Sequence, residues 1–141
     1  MDLYLEFITR HSLLFIALVV ILVLLLQTVY SDLMRKHKLL TTPEAIRLIN
    51  REDAVIIDTR NSSEFKAGHI TDAINVSLPD ISEQAEKLRK YGVRPLVFYC
   101  KLGPRGDEAC KTLTKLGFTN IYNLSGGLQA WQDANMPLVK K

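Results

Sequence analysis

The sequence predicts an α/β domain built on a parallel sheet and preceded by one transmembrane helix. Three observations lead there. Leu96 to Tyr99 and Ala54 to Ile57 are short apolar runs without alternation, the mark of strands buried on both faces, as in a parallel sheet. Between them lies a stretch with apolar residues at helical spacing, Ile81, Ala85 and Leu88, beside the charged Glu83, Glu86, Lys87 and Lys90. Ahead of both, Leu13 to Leu26 is apolar without a break, and no charge falls between Arg10 and Asp32. A chain of 141 residues holds one ordinary domain plus such an appendage.

Fourteen apolar residues span only ~21 Å, short of the ~30 Å hydrocarbon core. With Ser12 and Gln27 to Tyr30 the stretch reaches roughly 28 Å, which is enough. Tyr4, Phe7 and Tyr30 suit the two interfaces. A signal peptide would open basic and close on a small-x-small cleavage site; this segment opens with Asp2 and Glu6, and no such site follows Leu26. A soluble core helix would carry polar residues along one side. Arg10 alone precedes the run, whereas Arg35, Lys36 and Lys38 follow it, so the N-terminus is expected outside and the domain in the cytoplasm. The expected organisation is a short extracytoplasmic N-terminus over 1–11, a transmembrane helix over 12–30, a basic linker over 31–38 and the domain over 39–141. The chain is thus expected to be a single-pass protein of the inner (cytoplasmic) membrane.

Within the domain, Thr42-Pro43-Glu44 reads as a helix start, with Thr42 as the capping hydroxyl. Strand Ala54–Ile57 ends at Asp58, and Ser62 or Ser63 caps a helical turn that Gly68 breaks. A third strand is expected over Ala73 to Val76, a helix from Pro79 to about Lys90, and another from about Asp107 to Leu116. Cys110 flanks the apolar stripe of that last helix and reads as a small buried hydrophobe rather than a partner thiol for Cys100. Ile121 and Tyr122 give a final strand, and Gly126-Gly127 turns into a short helix carrying Trp131. Pro137 ends the domain, with a basic tail behind it.

The chemistry concentrates in Leu96 to Gly106, L-V-F-Y-C-K-L-G-P-R-G. Cys100 stands at the carboxyl end of a buried strand just before a helix, where open α/β sheets bind ligands. Loop N–H groups and the positive end of the helix are expected to point at its sulfur and to favour the anion. With Lys101 and Arg105 nearby, that sulfur is a nucleophile suited to an anionic substrate.

The loop C-K-L-G-P-R keeps a C-x-x-G-x-R skeleton and resembles the active-site loop of the rhodanese family, sulfurtransferases that carry sulfur as a cysteine persulfide. Asp58-Thr-Arg60, Glu64-Phe65, Gly68-His69-Ile70, Ala73-Ile74-Asn75 and Leu124-Ser-Gly126-Gly127 before Trp131 fit the same family in order and spacing. The resemblance implies an open parallel sheet of about five strands flanked by helices on both faces. It implies that Cys100 takes sulfur from thiosulfate or another sulfane donor, releasing sulfite in the first case, and hands it to cyanide or a thiol. Lys101, Leu102, Gly103, Pro104, Arg105 and Gly106 would line the substrate site. Asp58, Arg60 and His69 would be structural supports, although the place of the D-x-R pair at a strand's end also admits a catalytic role. Thr71 and Asp72 stand where the family usually has proline and glycine.

The loop departs from the family's usual residues at four places. Lys101 replaces an arginine, bulky Leu102 a serine, Pro104 brings no N–H, and Gly106 replaces a hydroxyl residue. These departures leave a second reading, a weak or inactive module used for membrane-tethered binding or sulfur relay. A phosphatase or arsenate reductase is disfavoured, because those loops resemble one another in C-x5-R and here Arg105 follows Cys100 as C-x4-R. Residues 39–141 hold 14 basic and 12 acidic side chains with no aromatic-interleaved basic patch, which argues against nucleic acid. His11, His37 and His69 are scattered, with no metal-ligand spacing. The expected partners are a small sulfur-containing anion, a protein thiol acceptor and the membrane; no cofactor is expected beyond the persulfide on Cys100.

Overall fold

A computed structural model describes residues 1–140, and the chain divides into two compact units after Arg35. The first unit is two helices, α1 (Asp2–Arg10) and α2 (Ser12–Leu33). Residues 2–10, which the sequence reading leaves without an element, form α1 because their apolar and polar residues separate on a helix. Leu3, Tyr4, Leu5, Phe7 and Ile8 make a broad apolar arc opposite Asp2, Glu6, Thr9 and Arg10. α2 is apolar all round, buries none of its residues against protein, and is long and apolar enough to cross a membrane. It runs three residues beyond the expected end at Tyr30.

The second unit begins at Lys36, so His37 and Lys38, which the sequence reading gives to the linker, belong to it. Its elements are β1 (Lys38–Leu40), α3 (Thr42–Glu52), β2 (Val55–Asp58), α4 (Ser62–Ala67), β3 (His69–Ile70) and β4 (Ile74–Asn75). A 3-10 turn over Leu78–Asp80 leads into α5 (Ile81–Arg89), followed by β5 (Leu96–Tyr99), α6 (Pro104–Lys115), β6 (Ile121–Leu124), α7 (Gly127–Asp133) and β7 (Leu138–Val139). The main sheet has five parallel strands in the order β1-β6-β5-β2-β4, with β5 at its centre. Asp58 pairs with Tyr99 and Phe98 with Asn123, which lines up the carboxyl ends of the three central strands. The outer strands are short, three residues in β1 and two in β4.

Several local expectations shift. The cap of α3 is Thr41, not Thr42: Glu44 Oε2 accepts from both the Thr41 N–H and its hydroxyl, each at 2.8 Å. The cap of α4 is Asn61, not a serine: its Oδ1 accepts the Glu64 N–H at 2.9 Å while Glu64 accepts the Asn61 N–H at 3.1 Å. The third expected strand narrows to Ile74–Asn75, and His69–Ile70 instead pairs antiparallel with Leu138–Val139. Leu138 and Val139, past the expected end of the domain at Pro137, therefore form a strand of the fold.

Helices cover both faces of the sheet, as the fold class requires. On one face Val55, Ile57, Leu96, Phe98 and Ile121 pack against α5 and α6 through Ile81, Ala85, Leu88, Ala109, Cys110 and Leu113. On the other, Ile56, Val97, Tyr99 and Leu124 pack against Ala45 of α3 and Leu128 and Trp131 of α7. The alternation along each strand explains why unbroken apolar runs were required: both sides are interior. Phe98 is completely enclosed at the centre of the first layer. Phe98→Ala should therefore lower unfolding stability by about 3–5 kcal/mol, read as a drop in the urea midpoint of the full chain in detergent.

Candidate functional site

The site is built where β5 runs out. Cys100 follows the last strand residue, and α6 starts four residues later at Pro104, whose missing N–H is harmless at a first helical position. The sulfur of Cys100 accepts the Gly103 N–H at 2.9 Å. Gly103 reaches that pose with φ +125°, a backbone region that favours glycine. The sequence reading anticipated several amides on the sulfur; the hydrogen bond described is the one from Gly103. Cys100 is also more enclosed than a surface nucleophile, at 1% exposure, while Lys101, Leu102 and Pro104 on the outer rim are exposed and Gly106 is buried.

What gives the loop its polarity is the fate of its carbonyls. The Cys100 carbonyl accepts the Leu128 N–H at 2.8 Å, and the Lys101 carbonyl accepts the Gln129 N–H at 3.1 Å. The Gly103 carbonyl accepts the Asp107 N–H at 3.0 Å and a side-chain N–H of Asn123 at 3.1 Å. Each negative end of these peptide dipoles is thus tied down on α6, on β6 or on the first turn of α7. Gly127 makes the α7 contacts possible, since a Cβ there would collide with the Cys100 carbonyl and lie 2.8 Å from the Lys101 carbonyl carbon.

Arg105 does not turn to the sulfur. It forms a two-pronged pair with Glu64, at 3.0 and 3.2 Å, across 41 residues of sequence. This bond raises the arginine's proton affinity above its usual level, burial opposes it, and the charge of Glu64 adds to the rise. Glu64 is held below the ordinary carboxylate range first by Arg105 and then by the Asn61 N–H, against the opposing effect of burial. The sequence reading named Glu64 only as a motif residue. A contact so distant along the chain leaves no local trace.

Behind the loop lie Asp58 and Arg60, both buried. Their side chains pair in a fork, Arg60 Nε to Asp58 Oδ1 at 3.0 Å and the terminal nitrogen to Oδ2 at 2.7 Å. The same nitrogen donates to the Gly68 carbonyl at 2.7 Å, which fixes the entry to β3. The Tyr99 hydroxyl accepts the Ile70 N–H at 3.2 Å, and burial pushes its phenol well above the ordinary range. His69 is stacked on Phe65 with ring centroids 3.7 Å apart, and its Nδ1 lies 2.8 Å from the Phe65 carbonyl oxygen. Cys110 is fully buried on α6 with its sulfur 3.5 Å from the Tyr122 carbonyl. His37, buried, places Nε2 2.7 Å from Asp107 Oδ1 in the first turn of α6.

Two residues at the site escaped the sequence reading. One is His37, set aside with the linker. The other is Asn123, whose signal was available: a polar residue inside an otherwise apolar strand, I-Y-N-L. It is buried at 2% exposure, and its carbonyl oxygen finds no partner among the described residues.

The chain matches the rhodanese-like domain family across residues 41–134. It is 37% identical over 136 residues to the uncharacterized protein YibN of Escherichia coli strain K12, covering 96% of this chain and 95% of that one. It is 30% identical over 96 residues to the thiosulfate sulfurtransferase GlpE of Coxiella burnetii, covering 68% and 88%. Among solved structures, a rhodanese-related protein of Thermoplasma volcanium superposes with a TM-score of 0.67 at 24% identity, covering 74% of this chain and all of the other.

The Glu64–Arg105 pair carries a pH signature. The folded carboxyl is a stronger acid than the unfolded one, so its contribution to stability is complete above the usual value of 4.5 and is lost as the pH falls through the lower folded value. In Arg105→Ala the largest cause of that depression is gone. The urea midpoint of the variant should therefore decline less steeply than the parent's when the pH is lowered from 7 into the acid range, and coincident acid limbs would show that the pair is not formed.

Proposed function

The chain belongs to the rhodanese-like domain family, and on that premise we propose that it is a membrane-anchored sulfurtransferase carrying sulfur as a persulfide on Cys100. The observation that carries this reading is the Gly103 N–H aimed at the Cys100 sulfur from a loop in which the carbonyls of Cys100, Lys101 and Gly103 are bonded elsewhere. A sulfur anion there accepts the Gly103 N–H, which lowers its energy without a neighbouring base. GlpE of Coxiella burnetii, a relative that spans most of the domain, is named a thiosulfate sulfurtransferase.

The proposed chemistry balances without a cofactor. The Cys100 thiolate attacks the outer sulfur of thiosulfate, forming a new S–S bond while the old one breaks and sulfite departs with the electron pair. The persulfide then rests under the Gly103 amide. A thiol or cyanide attacks its outer sulfur, and the bonding pair returns to Cys100 as thiolate. An incoming anion meets Lys101 at the rim and competes with Glu64 for Arg105. Asp58, Arg60 and His69 brace α4, which carries Glu64, through Gly68 and Phe65.

The enclosure of Cys100 and the engagement of Arg105 by Glu64 favour a second reading, a module that turns over slowly with small anions and serves as a tethered binding or relay domain. For the anchor, α2 is apolar round its whole circumference, as a lipid-facing helix must be, and the basic residues on its carboxyl side orient the domain toward the cytoplasm.

Intact mass of the full chain in detergent separates the two functional readings. After incubation with thiosulfate the chain should gain about 32 Da, one persulfide sulfur, and lose it to cyanide as thiocyanate. The gain should vanish in Cys100→Ser and persist in Cys110→Ala; no gain in the parent leaves the binding module. For the anchor, the chain should stay with membranes through a carbonate wash, and protease added to spheroplasts should spare the domain. Release into the soluble fraction, or digestion from outside, would refute the anchor or the orientation.

A further inference from the structure

We propose that Asn123 is a positioning residue for the Cys100 sulfur, a role that rests on the sulfur-transfer reading above. The bond that matters, Gly103 N–H to sulfur at 2.9 Å, joins the end of β5 to the start of α6. Its length is therefore set by where the first turn of α6 sits against the sheet. Asn123, on the neighbouring strand β6, holds that turn at two points. Its side-chain N–H donates to the Gly103 carbonyl at 3.1 Å, and its side-chain oxygen lies against Gly106, one turn further along. A Cβ at position 106 would run into that oxygen, and would also come within 3.3 Å of Asn123 Cγ and 3.5 Å of the Tyr99 Cα. Glycine thus stands after the arginine at a position where a side chain would meet Asn123, in place of the hydroxyl residue of the loops that the sequence resembles.

Stability alone does not explain the residue. Asn123 lies on the layer where Ile121 packs, is 2% exposed, and leaves its side-chain oxygen without a partner among the described residues. A buried, unsatisfied carbonyl is unfavourable, and an apolar side chain of the same shape would relieve it. What an apolar side chain lacks is the donor that holds Gly103. Gly103 itself, at φ +125°, has broad conformational freedom and depends on outside bonds to keep one pose. Asn123 supplies one such bond, and the pose it holds is the one that aims an amide at sulfur.

The test uses the full chain in detergent and its Asn123→Leu and Asn123→Ala variants. Iodoacetamide alkylation of Cys100 is followed against pH by peptide mass, together with the thermal midpoint. The expected result is a half-plateau pH raised by about one unit in both variants, that is, about tenfold slower labelling on the rising limb, with Asn123→Leu melting no lower than the parent. A packing role alone would lower the melting point and leave the pH profile in place. Profiles that coincide with the parent's overturn the proposal. Should the variants not fold, the native chain still decides by NMR. The Asn123 side-chain amide and the Gly103 amide should both shift when Cys100 is alkylated; movement of Gly103 without Asn123 overturns the proposal. Alkylation needs no sulfur donor, so a shifted profile in a chain that takes no sulfur from thiosulfate would defeat the sulfur-transfer reading and leave the positioning role standing.

Discussion

The structure around Cys100 depends on keeping peptide oxygens away from one sulfur atom. A loop that turns from a strand into a helix carries as many carbonyls as amides, and either end of a peptide can face inward. Here the carbonyls of Cys100, Lys101 and Gly103 are claimed by Leu128, Gln129, Asp107 and Asn123, which leaves the Gly103 amide to meet the sulfur. Two of those four donors, the Leu128 and Gln129 N–H groups, stand at the start of α7, where such groups have no partner within their own helix, and the Asp107 N–H makes the first bond of α6 itself. The beginning of α7 is thereby satisfied by the loop, and the loop is oriented by it. Each solves the other's hydrogen-bonding problem.

Charge follows a similar economy of place. Asp58 and Arg60 are buried together in fork geometry, with the remaining capacity of the arginine spent on the Gly68 carbonyl, so neither charge is left uncompensated. Arg105 is different: its partner Glu64 is only partly buried, and the pair lies where solvent competes. The first pair can brace, because exchanging it would strand a charge in the interior. The second can be exchanged, because water and an incoming anion can take either partner's place. Two arginine–carboxylate pairs of like geometry thus suit opposite tasks, and burial decides which.

Much of this was legible in the letters. The central strands β2 and β5 announce themselves because a sheet covered on both faces needs unbroken apolar runs, and Cys100 with its C-x-x-G-x-R loop stands at the end of one. The edge strand β1 was hidden, since Lys38-Leu39-Leu40 has no period and follows a basic stretch that reads as linker. The pairing of His69–Ile70 with Leu138–Val139 was hidden for a different reason, as two-residue strands carry no pattern at all. The caps moved back along the chain, to Thr41 from Thr42 and to Asn61 from Ser62 or Ser63, because each of these side chains can accept a capping bond until backbone geometry chooses. Glu64 on Arg105 and Asn123 on Gly103 are contacts made by topology, across 41 and 20 residues, and no window along the sequence contains them.

The shortness of the outer strands would have a consequence for a chain anchored in a bilayer as proposed above. Chains restricted to a surface meet one another far more often than the same number of chains in bulk water, and an open sheet invites edge-to-edge joining. β1 offers three residues and β4 only two, too few to seed a continuous ladder with a neighbour. The sheet thus ends in stubs at both margins, which offer little to edge-to-edge joining where an anchor would crowd the chains in two dimensions.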